Sequence, residues 1–406
     1  MPVTPPTLTA WRQVFAAILL MAATGMITAS YSVIALPLAQ EYNPGRMVLM
    51  LAMTVVSAVG ALLSATCGGL LDRVNLRWSM TLGGLLLSAG FWAISMTTSF
   101  SQVLWVYALL IAPANVLIGP LAATVLLSRW FSTQRGKAIG LAMTGISIGV
   151  FVFPLIVSAL LTQYPWRDAL QVLTGILMCW TVPAALMVSA WPPGCGDGPT
   201  ISADTTPTRQ PTHIGAWRIL SDPAFWMLAF TVGIVTGGMK GVVTNLASLG
   251  VDTGATTVQA ARLISIYAAC GFISKLSFAA LSDRLGARRI LLLSLTGYAL
   301  GLAVLAQAGM GYGVIALGVA AVGFFGGLML PMESFLAPQM FGTAIVGRAM
   351  GLLTSVVLLV LLTTPPLFGL IFDLTGSYRG IFWTFCGVAL ATLFMVPRIR
   401  LTPRAE

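Results

Sequence analysis

Three ionisable side chains interrupt otherwise apolar stretches of this sequence: Lys240, Lys275 and Glu333. Holding a charge in hydrocarbon costs at least about 2.5–3.5 kcal/mol, so where one persists it serves a ligand, an ion or a gate. Two ammonium groups against one carboxylate suit a small organic anion as the bound species. Lys275 lies eight residues before Asp283, roughly 12 Å of helix. Glu333 lies nine residues before Gly342, roughly 13 Å. Both depths are near the middle of a bilayer, so the two groups can meet if their helices turn them to one cavity. Glu333 has two readings, a proton carrier or a member of a gate that holds Arg284 or Lys275. Lys240, in the outer half of its stretch, either faces a cavity or snorkels outward on its flexible stem.

Uncharged polar groups widen the set. Asn115 stands in an apolar run between Pro113 and Pro120. It makes either a helix–helix hydrogen bond, worth about 0.6 kcal/mol, or a substrate contact. Tyr31, Asn245 and Tyr267 are further candidates of this kind. What the chain lacks narrows the chemistry. His213 is the single histidine and lies in a polar central segment. Cys67, Cys179, Cys195, Cys270 and Cys386 have neither the spacing of a disulfide framework nor that of a metal site. No nucleophile–base pair sits in the apolar runs. The sequence therefore calls for no cofactor and no metal, and it does not read as an enzyme. The net charge of +10 is scattered through short loops rather than gathered in a patch, which excludes nucleic acid as a partner.

The elements that must position these groups follow from composition. Hydrophobic residues make up 58% of the chain and charged residues 8%, against about 25% charged in soluble domains; the lipid bilayer must be the solvent. Spanning it takes roughly 20 apolar residues in a helix. Twelve such runs are predicted: Trp11–Leu36, Arg46–Leu71, Arg77–Thr97, Gln102–Ser128, Lys137–Thr162, Asp168–Ala190, Pro223–Gly250, Val258–Leu281, Arg288–Ala308, Tyr312–Gln339, Gly347–Phe372 and Arg379–Pro397. The stretch Trp191–Asp222, rich in Pro, Gly, Thr and Asp, reads as a flexible linker. The first run is too long for a cleavable signal and has no small-residue site after it. With the N-terminus inside, fifteen Lys and Arg fall on the cytoplasmic side and four on the outer side, so both termini are expected in the cytoplasm.

The chain also repeats itself. Gly68 to Arg77 (GGLLDRVNLR) is echoed by Ala279 to Arg288 (AALSDRLGAR) at an offset of 211 residues. The same offset carries Pro120 onto Pro331, Gly136 and Lys137 onto Gly347 and Arg348, Gly140 onto Gly351, and Pro154 onto Pro365. A fixed offset across half a chain is the mark of a duplicated membrane protein, two six-helix halves in parallel orientation. The halves are expected at 1–190 and 223–406, joined by the linker 191–222. Gly145 and Gly149 form a small-xxx-small face for close helix packing. Pro154 and Pro365, with Pro366, are expected to bend helices 5 and 11 at matching depth.

The two Asp-Arg-x-x-x-Arg loops, Asp72, Arg73, Arg77 and Asp283, Arg284, Arg288, resemble the signature of the major facilitator superfamily. There the loops join helices 2 to 3 and 8 to 9 and act as cytoplasmic latches, so the resemblance implies gating for these six residues. The second copy carries Ala279 where the pattern has glycine. Further stretches resemble the monocarboxylate porter and oxalate/formate antiporter branch: Tyr31 to Leu38; Arg129-Trp130-Phe131 followed by Arg135 to Gly140; Trp166-Arg167; Asp222 to Trp226; Asp373 to Tyr378. Two departures stand out. The helix-1 lysine usual in such porters aligns with Ala29, whose repeat mate is Lys240. The helix-8 aspartate is Gly271 here, and the basic residue after it is Lys275 in place of arginine. The resemblance implies an all-α membrane transporter of the inner membrane, working by alternating access on a small organic anion, a monocarboxylate. No ATP-binding loop is present, so a proton gradient or a counter-anion must drive it. Anion exchange and export of drug-like molecules are the alternatives.

Overall fold

The structure, a computed structural model, describes residues 8–43, 46–131, 134–189, 191, 216–254, 257–394 and 396. Every element among them is helical. Eleven helices are long and apolar enough to cross a membrane. They are α1 (Leu8–Tyr42), α2 (Arg46–Leu71), α3 (Leu76–Ser95), α4 (Phe100–Trp130), α5 (Arg135–Gln163), α6 (Trp166–Leu186), α7 (Pro223–Asp252), α8 (Thr257–Leu285), α9 (Ala287–Leu305), α10 (Tyr312–Phe341) and α11 (Val346–Thr375). The apolar helix α12 (Arg379–Leu393) completes the twelve. Of the predicted linker, a short helix Ala216–Leu220 is described; 192–215, with His213, and the C-terminal 397–406 lie outside the described residues.

By contacts the chain divides into two units, Met1–Gly215 with Phe341–Leu352, and Ala216–Met340 with Leu353–Glu406. The division falls near the predicted linker, but the first turns of α11 group with the first unit. In that unit α1 lies backbone to backbone on α5. A Cβ at Gly149 would stand 1.9 Å from the Ala22 carbonyl oxygen, and one at Gly145 2.3 Å from that of Ile18. The small residues at 145 and 149 thus admit α1, as lipid-embedded helices require when packing supplies the attraction.

One end of this unit is tied by polar contacts. Arg167, at the start of α6, donates to Glu41 Oε1 at 2.7 Å, to the Ser95 carbonyl at 2.6 Å and to Tyr42 Oη at 3.0 Å. Trp166 Nε1 donates to Glu41 Oε2. At the opposite end, Asn75 caps α3 by accepting from the Arg77 N–H at 3.0 Å. Its repeat mate, Gly286, begins α9 at φ +77°, a left-handed conformation that a side chain would strain.

Helices 4 and 10 are interrupted in the same way. In α4 a π-helical turn, Tyr107–Ile111, is followed by Pro113, an extended Gly119 and Pro120. In α10 a π-helical turn, Val322–Gly326, is followed by a break at Leu328 and by Pro331. Proline has no N–H to give to the preceding turn, which fixes the breaks at those points. By contrast, α5 and α11, which carry Pro154 and Pro365, each run as one unbroken helix.

Candidate functional site

The first Asp-Arg loop is engaged. Asp72 follows the last turn of α2, and its carboxylate receives the N–H of Gly347 on Oδ1 at 2.8 Å and that of Arg348 on Oδ2 at 3.0 Å. These are unpaired donors of the first turn of α11, so one carboxylate satisfies two of them and faces the positive end of the helix dipole. The approach depends on glycine. A Cβ at Gly68 would fall 2.1 Å from the Gly347 carbonyl oxygen, and one at Gly347 2.3 Å from that of Gly68. Arg129, from the end of α4, braces the loop by donating to the Leu71 and Asp72 carbonyls, each at 2.9 Å, and stacks over the Trp191 ring at 4.5 Å. Burial pushes the Asp72 carboxyl above the usual carboxylate range, against the pull of the two N–H donors and the Arg129 and Arg348 charges. Arg73 and Arg77 are exposed, as are Asp283, Arg284 and Arg288 in the second loop.

In the first unit Tyr31 is buried edge-on against Tyr107, ring centroids 5.6 Å apart. The Tyr107 hydroxyl is buried with no hydrogen-bond partner among the described residues. Asn115, half-buried, lies between the π-helical turn and the Gly119 break, and its side chain makes no hydrogen bond among the described residues.

In the second unit α8 packs against α10. Tyr267 meets Gly323, Gly271 and Ser274 meet Gly327, and the rings of Phe278 and Phe335 meet edge-on at 5.9 Å. The two helices therefore run parallel. Counted back from the Phe278–Phe335 contact, Lys275 is three residues up α8 and Glu333 two residues up α10. At 1.5 Å per residue they stand within about 2 Å of one level. Glu333 is 7% exposed and has no hydrogen-bond or ion-pair partner among the described residues; Lys275 is half-buried. Lys240 is exposed on α7, with Thr244 one turn along also exposed. Asn245 donates to the Gly241 carbonyl of its own helix at 2.9 Å. A cavity of about 380 Å³ opens at the far end of this unit among Thr253, Gln307, Phe372, Tyr378 and Arg379. None of the sequence-predicted site residues lines it, so it is not the place where those charges meet.

Sequence reasoning missed Arg129 and the α11 N–H groups as partners of Asp72, and it missed Tyr107, Ser274 and Tyr298. Arg129 registered as a loop charge and as part of the Arg129-Trp130-Phe131 stretch, not as a brace, since the carbonyls it holds leave no trace in residue types. Tyr107 and Tyr298 carried the one available signal, a phenol inside an apolar run.

The chain matches the sequence profile described as Major Facilitator Superfamily over residues 14–274 and 228–406. It is similar to monocarboxylate transporter 12 of Rattus norvegicus, 25% identical over 356 residues that span 79% of this chain and 70% of that protein. It is similar to monocarboxylate transporter 13 of Bos taurus, 28% identical over 331 residues spanning 80% and 72%. Two solved structures share its fold. The human organic anion transporter MFSD10 matches with a TM-score of 0.77 at 14% identity, covering 97% of this chain and 100% of that one. The proton:xylose symporter XylE matches with a TM-score of 0.78 at 14% identity, covering 98% and 97%.

Proposed function

We propose that this chain, which belongs to the Major Facilitator Superfamily, is a secondary transporter that carries a small monocarboxylate with a proton by alternating access. One observation carries the reading: Lys275 and Glu333 share a level on packed helices α8 and α10, deep in an apolar unit. A cation there attracts a carboxylate more strongly than it would in water, because the apolar surroundings screen the charges less. Glu333 supplies the proton site beside it. Where porters resembling this chain carry an aspartate on helix 8, Gly271 lets α8 lie against Gly327, and the acid of the layer comes from α10 instead. The names of the curated relatives point to the same substrate class.

Asp72, with Gly347, Arg348 and Arg129, serves as the latch that must part when the transporter changes face. Both termini lie in the cytoplasm and the protein sits in the plasma membrane on this reading. The exposed Lys240 offers a second ammonium, which favours one alternative, exchange of one anion for another. Uptake of a panel of labelled short-chain acids by proteoliposomes, with and without an inward proton gradient, tests the proposal. Accumulation that follows the gradient supports symport. Uptake that responds only to acid loaded inside the vesicle would establish exchange.

A further inference from the structure

The π-helical turn Val322–Gly326 is gripped by one face of α9. A π-helical turn holds one residue more than the α-helical turn it replaces and disturbs the backbone ladder around it, so it persists where neighbours stabilise it. Ser294 Oγ donates to the Phe325 carbonyl at 2.7 Å. Gly297, Tyr298 and Gly301 follow at the spacing of a single helix face. A Cβ at Gly297 would collide with the Phe325 ring, 2.2 Å from its Cγ, and one at Gly301 would lie 2.9 Å from the Val322 nitrogen. The Tyr298 ring packs beside Gly326, and its hydroxyl fills the notch at Gly238 of α7.

The internal repeat separates packing from anything special. Gly90 of α3 is the repeat mate of Gly301, and it meets Leu110 and Ile111, the mates of Ala321 and Val322 that Gly301 meets. The glycine at this crossing, Gly90 or Gly301, is therefore common to both units, whereas the mate of Gly297 is Leu86. Ser294 is not shared either: its mate is Gly83, which carries no side chain. The hydroxyl that ties the turn exists only in the unit that carries Glu333.

One inserted residue turns everything after it by about 100° relative to everything before it. Glu333 comes seven residues after Gly326. If the turn relaxed to α-helix with the same residues, Glu333 would leave the helix on a different side. We propose that Ser294 is a positioning residue for proton coupling: its bond to the Phe325 carbonyl holds the π-helical turn and so aims Glu333 at the layer of Lys275. This rests on Glu333 being the proton site.

The test uses reconstituted full-length protein and two readouts, proton-driven accumulation and exchange at equal pH. Ser294→Ala should lower accumulation roughly tenfold, the population change that follows loss of one buried hydrogen bond, while exchange stays near wild type. Ser294→Thr, which keeps the hydroxyl, should retain coupling. Deleting Phe324 in the Ser294→Ala background removes the extra residue, leaves the turn α-helical ahead of the break at Leu328 with Glu333 still aimed as before, and should restore accumulation. A merely structural serine predicts no such rescue. Full accumulation in Ser294→Ala, or no rescue in a double variant that still exchanges, overturns the inference. Glu333→Gln separates the two levels: full proton-driven uptake in that variant overturns the reading of Glu333 itself. Lost coupling there with intact coupling in Ser294→Ala overturns only the role of Ser294.

Discussion

At the scale of single residues, the proposed carboxylate anchor, Lys275, is a lysine where similar porters carry arginine. An ammonium is a point charge on a flexible stem, whereas a guanidinium grips a carboxylate with a planar fork. Lys275→Arg is therefore expected to keep part of the transport activity while changing the order of preference among small acids, read as competition against one labelled acid. An unchanged order would mean that the carboxylate is held elsewhere. Tyr107 makes a simpler case. Its hydroxyl is buried without a partner among the described residues, and a buried donor left unmade costs stability. Tyr107→Phe should leave thermal stability unchanged or raise it by up to about 1 kcal/mol; a clear drop in melting temperature would reveal a partner. The shared level of Lys275 and Glu333 was legible in the sequence, because rise per residue is fixed. Direction around the helix was not, since it depends on which face each neighbour covers.

At the scale of elements, the two ends of the first unit respond differently to acid. The Glu41 carboxyl is held below the usual carboxylate range, first by its hydrogen bond from Arg167 and then by that from Trp166. A carboxyl lowered in the folded state stabilises it above the ordinary carboxylate pKa, and that contribution fades as pH falls through the lowered value. Glu41→Gln should therefore flatten the acid limb of a stability–pH curve and leave alkaline stability unaltered. Asp72 has the opposite sign. Its folded-state value is raised by burial, so the strain of holding it charged is relieved as pH falls and returns as pH rises through that value. Asp72→Ala leaves the Gly347 and Arg348 N–H groups without their acceptor. Hydrogen exchange over the first turn of α11 should speed up markedly, while the α1–α5 interface stays protected. Unchanged exchange at Gly347 and Arg348 would remove the latch from the account. Prolines 154 and 365 drew attention to bends in helices 5 and 11, which stay continuous, while the interruptions in hydrogen bonding lie in helices 4 and 10. Pro120 and Pro331 marked those breaks. The π-helical turns beside them had no mark, because they arise from neighbours such as Ser294 and Gly297 on another helix.

At the scale of the whole molecule, the 211-residue offset was the most informative feature of the sequence. It predicted a duplicated all-helical membrane protein, and the family match and fold likeness agree with that. The two Asp-Arg loops resemble each other in sequence but differ where the next helix starts: Asn75 caps α3, whereas Gly286 turns left-handed before α9. Residue types disclosed the repeat; only packing disclosed where it departs from symmetry.

The central claim is that Lys275 anchors the carboxylate of the transported acid. The most direct measurement is uptake of a labelled monocarboxylate by proteoliposomes holding equal amounts of folded wild-type protein and Lys275→Gln. The variant should insert normally and transport nothing above empty vesicles, under a proton gradient and in exchange alike. Uptake by Lys275→Gln with near-native apparent affinity would contradict the account and move the anchor to another residue, Lys240 first.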